Sequence, residues 1–351
     1  YRAAALARGR LIDVMTVPRE TKGSIGSLYL GRVVRRVAAM NAAFVEIGLG
    51  APAFLNVAKS TPEEGKAVVV QLVEAAASGK APRVSTRLAI EGRFLVLLPR
   101  EKGVAPSRRL GKADATRLTE IVRPMLQSDE GVVLRAHART ATAASLQSEL
   151  STLRSLWRAA AAQADGTPPR CLHAEPGLRR VLCAFDDGGT AFIFGDAEGA
   201  RLARAAAATI DPEIVGRIQT TGEGSDLFER GDVGDALASA EAREVPLPSG
   251  GRIAIETTAA LVAVDVDSGS ASADVLATNL EAAAEVARQL RLRELGGTVL
   301  VDFIRMPAKA GRDKVERLLA ETVAIDRMPV QLLGWTRGGL FELVRGRNPV
   351  G

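Results

Sequence analysis

The chain has 351 residues, 47% of them hydrophobic and 25% charged, and its 46 Lys and Arg exceed its 41 Asp and Glu to leave a net charge of +5. That length exceeds one hydrophobic core, so two or more domains are expected, while no apolar run approaches the roughly 20 residues of a membrane helix, which excludes a helical membrane span. Cys171 and Cys183 are too few for a disulfide framework and lack the C-x-x-C spacing of a zinc or redox site.

No basic-then-apolar leader opens the sequence at Tyr1, so a reducing cytoplasm is the expected location. Arginine outnumbers lysine, which suits bidentate phosphate recognition but equally suits a GC-rich genome. Charge alone leaves nucleic-acid binding open.

From the N-terminus, residues 25–101 read as short strands with turn signals: "SLYLGRVVRRV", "AAFVEIG", "PAFLNV", "KAVVVQLVEA", "RVSTRLAI" and "RFLVLLP". Such spacing predicts a small sandwich or barrel. From about 110 to 166 the apolar residues fall three and four apart in "DATRLTEIVRPML" and "TAASLQSELSTLRSLWRAAAAQA", which predicts two helices. "DGTPPR" then reads as a break. "RRVLCAFDDGGTAFIF", 179–194, predicts a hairpin around Asp-Asp-Gly-Gly, followed by an alanine-rich helix over 197–208.

"REVPLPSGGRIAIETTAALVAVDVD" predicts two or three strands with a turn at Ser249-Gly250-Gly251. The helix that follows is predicted over 278–296, with Thr278-x-x-Glu281 as a capping box and Gly296-Gly297 as its stop. A further strand, "TVLVDFI", and a helix in "GRDKVERLLAETVAI" complete the pattern. Strand, helix, strand within residues 261–304 is the unit that makes neighbouring parallel strands.

Both of those apolar strands end in carboxylates. Asp265 and Asp267 are two apart and share a strand face, and Asp302 lies between Val301 and Phe303. Parallel neighbours put their C-terminal ends at one edge, so Asp265 and Asp302 can converge. Converging carboxylates share a proton, meet a basic group or bind a cation, and two carboxylates are the usual protein share of a Mg²⁺ site. The competing expectation is that Asp265 and Asp267 cap a loop and Asp302 pairs with an arginine. His137 and His173 are the only histidines, and neither a G-x-S-x-G elbow nor a Walker A loop is present, so metal-assisted chemistry on a phosphate is the best remaining option.

The block "TNLEAAAEVARQLRLRELGGTVLVDFIRM", 278–306, together with "AVDVDSG", resembles the active-site segment of the ribonuclease E/G family. "LYLGRVVRRVAAMNAAFVEIGLGAPAFLNV" is similar to its inserted S1 domain. The resemblance implies a multi-subdomain α+β and α/β chain. An RNase H-like subdomain split over 1–24 and 167–240 would carry an S1 (OB-fold) insertion at 25–101. A helical 5′-sensor region would follow at 102–166, and a DNase I-like catalytic subdomain at 241–351.

It further implies Asp265 and Asp302 as ligands of a catalytic Mg²⁺, for which Mn²⁺ can substitute, with Asp267 completing the catalytic group in the place of the family's asparagine. Phe44, Phe54 and Arg337 are implied to bind RNA and Arg135 to sense a 5′-phosphate, while Lys80 in "ASGKAPR" reads from its place on the same insertion as a phosphate contact that binds RNA. The bottom-up alternatives stay open: the two phenylalanines as barrel core, Lys80 as a solvated loop residue, and Arg135 paired with a carboxylate on a neighbouring helix. Departures from the family pattern are Ala136 in place of the sensor threonine, Arg305 in place of an acidic residue, Gly338 in place of an aromatic, and a shorter loop between Asp267 and Thr278. The sequence runs to Gly351 without the C-x-x-C zinc-link or the scaffold tail, so a zinc-linked oligomer and scaffold partners are not expected.

The implied activity is Mg²⁺-dependent hydrolysis of single-stranded RNA to 5′-phosphate and 3′-hydroxyl ends in RNA processing, with ribosomal RNA precursors among the candidate partners. The alternative is a weakly active or inactive RNA-binding protein of rRNA maturation or ribosome assembly. A purely structural protein is the third expectation.

Overall fold

The computed structural model describes residues 1–19, 23–56, 62–76, 81–107, 109–221, 227–228, 232–269 and 274–346. The chain forms two compact units, one from Tyr1 and residues 16–225, the other from residues 2–15 and 226–348. Its mixture of helices and strands is the α+β class expected. Among the described residues no helix is long and apolar enough to cross a membrane.

Strands β1 (Arg2–Ala7) and β2 (Arg10–Thr16) pair with each other. Next come β3 (Leu28–Val37), β4 (Ala42–Glu46), β5 (Ala53–Asn56), β6 (Ala67–Glu74) and β7 (Arg83–Ser85). They pair in the order β3-β4-β5-β7-β6, and β6 returns to β3 to close a five-stranded barrel, consistent with an OB-fold. Strand alternation supplies its core: Tyr29, Val33, Ala43, Val45, Ala53, Leu55, Val70, Leu72 and Val84 point inward.

A second sheet follows, made of β8 (Ile90–Glu91), β9 (Leu95–Leu98), β10 (Gly103–Pro106) and β11 (Gly131–Leu134), with helix α1 (Lys112–Val122) before β11 and α2 (Ala143–Ala161) after it. "RFLVLLP" thus joins this sheet and not the barrel. The physical cause is α2: Leu146, Leu150 and Leu153 pack on Leu95 and Leu97, and the Glu149 carboxylate accepts hydrogen bonds from the backbone N–H groups of Phe94 and Leu95, both at 2.9 Å.

Strand β12 (Arg170–His173) adds to β3. After it come α3 (Gly177–Phe185), β13 (Phe192–Phe194), α4 (Ala197–Ala208), α5 (Pro212–Val215) and β14 (Ile218–Thr220). The hairpin expected around Asp-Asp-Gly-Gly is corrected here, because its first arm is α3. Leu178 and Leu182 line one helical face in the same core as Phe192 and Ala203, and Arg179 pairs with Glu175 one turn back at 2.8 Å. β13 instead finds a parallel partner in β14. The alanine-rich helix lies at 197–208 as expected, with Asp196 as its N-cap.

In the second unit, α6 (Asp232–Glu241) precedes β15 (Glu244–Pro246), β16 (Arg252–Thr257), β17 (Leu261–Asp267), α7 (Val275–Leu292), β18 (Gly297–Asp302), α8 (Lys309–Val323), β19 (Val330–Trp335) and β20 (Phe341–Arg345). The sheet order is β15-β16-β17-β18-β20-β19, and β17 and β18 are parallel neighbours joined by α7, as the strand-helix-strand pattern predicts. Val262, Val264, Val266, Val299 and Val301 share one core with Ala283, Val286 and Leu290 of α7 and Val315 and Leu319 of α8.

The start of α7 differs from expectation. Asp274 is the N-cap, its carboxylate accepting from the Leu276 N–H at 3.0 Å, so Thr278 and Glu281 lie inside the helix and form no capping box. They hold the β15–β16 turn instead: the Ser249 N–H donates to Glu281 at 2.9 Å, and the Ser249 and Thr278 hydroxyls are 3.3 Å apart. Arg288 and Arg291 of α7 donate to the carbonyls of Leu11 and Ile12 on β2 at 3.0 and 3.1 Å.

Candidate active site

Period-two alternation along β17 and β18 buries the valines against the helices and turns Asp265, Asp267 and Asp302 to the opposite face. The parallel register sets Asp265 beside Asp302. Neighbouring strands lie about 4.8 Å apart, so two like charges stand side by side, an arrangement that is destabilising unless something neutralises it. Both side chains are exposed, and neither has a hydrogen-bond or ion-pair partner among the described residues.

Asp267 behaves differently. Arg252, its cross-strand partner on β16, donates to its Oδ2 at 2.6 Å, and the Gly269 N–H donates to its Oδ1 at 2.8 Å. The loop-cap and arginine-pair expectations therefore describe Asp267 but neither Asp265 nor Asp302. The turn around it is tight: a Cβ at Gly251 would come 2.7 Å from the Asp267 carbonyl, and one at Gly269, where φ is +67°, would come 2.5 Å from the Gly250 carbonyl.

Two devices hold the segment after Asp302. The fully buried Asn279 side chain on α7 donates to the Ile304 carbonyl at 2.8 Å and accepts from the Ile304 N–H at 3.0 Å. Phe303 packs on Trp335 and Phe341, ring centroids 5.7 and 6.4 Å away, which joins that segment to the β19–β20 hairpin. Arg337 is exposed in the turn of that hairpin. Because Val301 pairs with Phe341, this turn lies at the same sheet edge as Asp302. Arg305 is exposed three residues beyond Asp302, and the Arg312 guanidinium sits 6.0 Å from the Trp335 ring. The edge thus carries a bare carboxylate pair among cations.

Asp265 and Asp302 are the donors that could hold a metal ion. Two adjacent carboxylates open to water fit Mg²⁺, which keeps several of its waters and uses one or two carboxylates. Among the described residues no cluster of three or more His, Cys, Asp or Glu gathers into a denser cage.

The other predicted residues belong to the first unit. Phe44 and Phe54 are half-buried cross-strand partners on β4 and β5, 5.8 Å apart edge to face. They alternate with the inward Val45 and Leu55, so they lie outside the barrel core. The register lines up Arg35, Phe44, Phe54 and Arg83 across four strands, with the Arg35 guanidinium 4.8 Å from the Phe44 ring. Lys80 lies outside the described residues. Arg135 is half-buried; its Nη1 donates to the Gly92 carbonyl at 2.8 Å and stands 3.7 Å from Glu91. Burial and the Arg135 charge hold the nearby His137 below its ordinary pKa, and burial pushes the Glu149 carboxyl up to about 7 against its backbone donors.

Arg252, Asn279 and the Phe303–Trp335–Phe341 group are residues that sequence reasoning missed. Asn279 did leave a signal: it falls in register with Ala283, Val286 and Leu290 on the apolar face, where a polar side chain needs a dedicated partner. The partner of Arg252 depends on strand register and left none.

Residues 89–348 match the model of the ribonuclease E/G family. Ribonuclease G of Haemophilus influenzae is 28% identical over 99% of this chain and 77% of its own length. Ribonuclease G of Escherichia coli strain K12 is 29% identical over 97% of this chain and 76% of its own length. Ribonuclease E of the same strain is 32% identical over 96% of this chain, which corresponds to 34% of that longer protein.

Proposed function

The chain belongs to the ribonuclease E/G family, and from that premise we propose that it is an endoribonuclease of RNA processing that hydrolyses single-stranded RNA to 5′-phosphate and 3′-hydroxyl ends with Mg²⁺. The observation that carries this reading is the exposed, unpartnered pair Asp265 and Asp302, set side by side by the β17–β18 register.

In this reading Asp265 and Asp302 hold the ion. When bound, Mg²⁺ supplies a Lewis acid for the scissile phosphate and lowers the pKa of an attacking water. Asn279 and the aromatic group around Phe303 keep Asp302 in place beside Asp265. Arg337 offers a guanidinium fork to a phosphate oxygen at the same edge. The outer face of the barrel supplies a sequence-tolerant grip, with bases stacking on Phe44 and Phe54 and phosphates meeting Arg35. Arg135, already spent on the Gly92 carbonyl and followed by Ala136, contributes little to a 5′-phosphate.

Metal removal tests the proposal. An unstructured 5′-labelled RNA is cut in the presence of Mg²⁺, and EDTA abolishes the products; cleavage that persists in EDTA contradicts a metal-dependent mechanism. An RNA-binding protein that has lost its nuclease activity would bind the same RNA without cutting it in Mg²⁺. That alternative leaves two adjacent, uncompensated carboxylates without a purpose.

The barrel surface gives a separate expectation. Base stacking on an aromatic ring contributes about 1–3 kcal/mol, so Phe44→Ala or Phe54→Ala each weakens single-stranded RNA binding by about 5- to 150-fold. Fluorescence anisotropy measures the loss, and the melting temperature stays nearly unchanged because neither ring belongs to the barrel core. Wild-type affinity in both variants would remove this face from RNA binding.

A further inference from the structure

Three carboxylates occupy one face of the β17–β18 edge, yet they are not equivalent. Asp265 and Asp302 are neighbours across the strands, whereas Asp267 lies one pleat beyond Asp265, about 7 Å further along β17. β16 decides what each of them meets. Ala254 stands opposite Asp265, and Arg252 stands opposite Asp267. The methyl group leaves Asp265 open, while the arginine engages Asp267 at 2.6 Å. Gly269 fixes the second oxygen of Asp267 at 2.8 Å, and Glu244 on β15 flanks the same guanidinium at 3.7 Å.

We propose that Arg252 is a specificity-determining clamp: it holds the Asp267 carboxylate away from the ion bound by Asp265 and Asp302, so that the site stays a two-carboxylate site suited to Mg²⁺. The inference rests on the proposed metal role of Asp265 and Asp302. Mg²⁺ is small, demands octahedral geometry and gives up its waters reluctantly, so it tolerates few carboxylate ligands. Ca²⁺ accepts six to eight oxygens in flexible geometry and gains from each added carboxylate. A free third carboxylate would therefore favour the larger ion. Its aspartate lies at the right edge and on the right face, and the Arg252 pair is the interaction that both orients it and cancels its charge.

The clamp also explains how an aspartate is tolerated there. An uncompensated third negative charge would add to the repulsion between Asp265 and Asp302, whereas Arg252 offsets the charge of Asp267. The pair is half exposed, so its role is the placement of charge and not the stability of the sheet.

Titration calorimetry of the full chain with Ca²⁺ and, separately, Mg²⁺ tests the clamp, using wild type, Arg252→Met, Asp267→Asn and the double variant. A doubly charged ion about 7 Å from one additional unit charge in water gains about tenfold in affinity. Arg252→Met is expected to tighten Ca²⁺ by about that factor, with a smaller gain for Mg²⁺, and to make Mg²⁺-dependent RNA cleavage correspondingly more sensitive to added Ca²⁺. The double variant returns to wild-type affinities, since the freed carboxylate is then absent. Arg252→Gln, which keeps a donor but no charge, falls between.

Unchanged Ca²⁺ affinity in Arg252→Met, or a gain that survives in the double variant, overturns the clamp. Asp265→Asn and Asp302→Asn separate this from a failure beneath it. If ion binding in these two variants equals wild type, the metal assignment and the clamp fall together; if they lose binding while Arg252→Met matches wild type, the clamp alone falls.

Discussion

Asp302→Asn lowers the rate of RNA cleavage by about a thousandfold or more while leaving the protein folded. A metal acting as Lewis acid contributes several kcal/mol of transition-state stabilisation, and a loss of about 4 kcal/mol is about three powers of ten in rate. Asn is isosteric with Asp but brings no charge, so the site loses half its negative charge without losing its shape.

Folding is expected to be spared for a specific reason. Asp302 is exposed and forms no hydrogen bond or ion pair among the described residues, and its closest charged neighbour on the sheet is Asp265. Removing one of two adjacent like charges relieves repulsion, so the metal-free variant melts at or slightly above the wild-type temperature. Added Mg²⁺ raises the wild-type melting temperature through linkage and leaves the variant unmoved. Single-turnover cleavage and thermal melts with and without Mg²⁺ measure both effects. Cleavage at the wild-type rate by Asp302→Asn would take the carboxylate pair out of the chemistry.

The largest stability effect is expected at a buried pair at the opposite end of β18 from Asp302. Arg345, at the end of β20, is fully buried, and Asp326 accepts from it through both oxygens at 2.8 and 3.0 Å. A further Arg345 nitrogen donates to the Leu295 carbonyl. Asp326→Ala removes the carboxylate that pairs directly with the buried guanidinium and leaves the buried Asp13 as the remaining carboxylate in its field, and breaking a buried pair in this way costs about 3–5 kcal/mol. Urea unfolding followed through Trp335, which packs on Phe341 of the same strand, reports the loss. Arg345→Met combined with Asp326→Leu recovers much of it, because a packed apolar pair carries no desolvation penalty. A cost below about 1 kcal/mol for Asp326→Ala would mean that water reaches the arginine.

Several elements were legible because their cause is local. The alternation "LVAVDVD" places Asp265 and Asp267 on one face whatever surrounds it, and the helix that follows requires the next strand to run parallel. The alanine-rich helix at 197–208 likewise follows from composition and an N-cap aspartate. Other elements were ambiguous for the same physical reason. "RRVLCAF" is a short apolar run whose residues suit strand and helix alike, and packing in the first unit makes it α3. Thr278 and Glu281 match a capping box, but Asp274 caps the helix one turn earlier and releases them to hold Ser249.

By itself, the sequence determined that carboxylates end two parallel strands at one edge, because side-chain alternation and chain direction are properties of each segment. The tertiary structure alone decided which carboxylates are bare. Register pairs Asp265 with Asp302, sets Arg252 against Asp267, and lets Asn279 reach Ile304. Each of these depends on groups far apart in the chain meeting within hydrogen-bond distance, and no local propensity encodes that alignment.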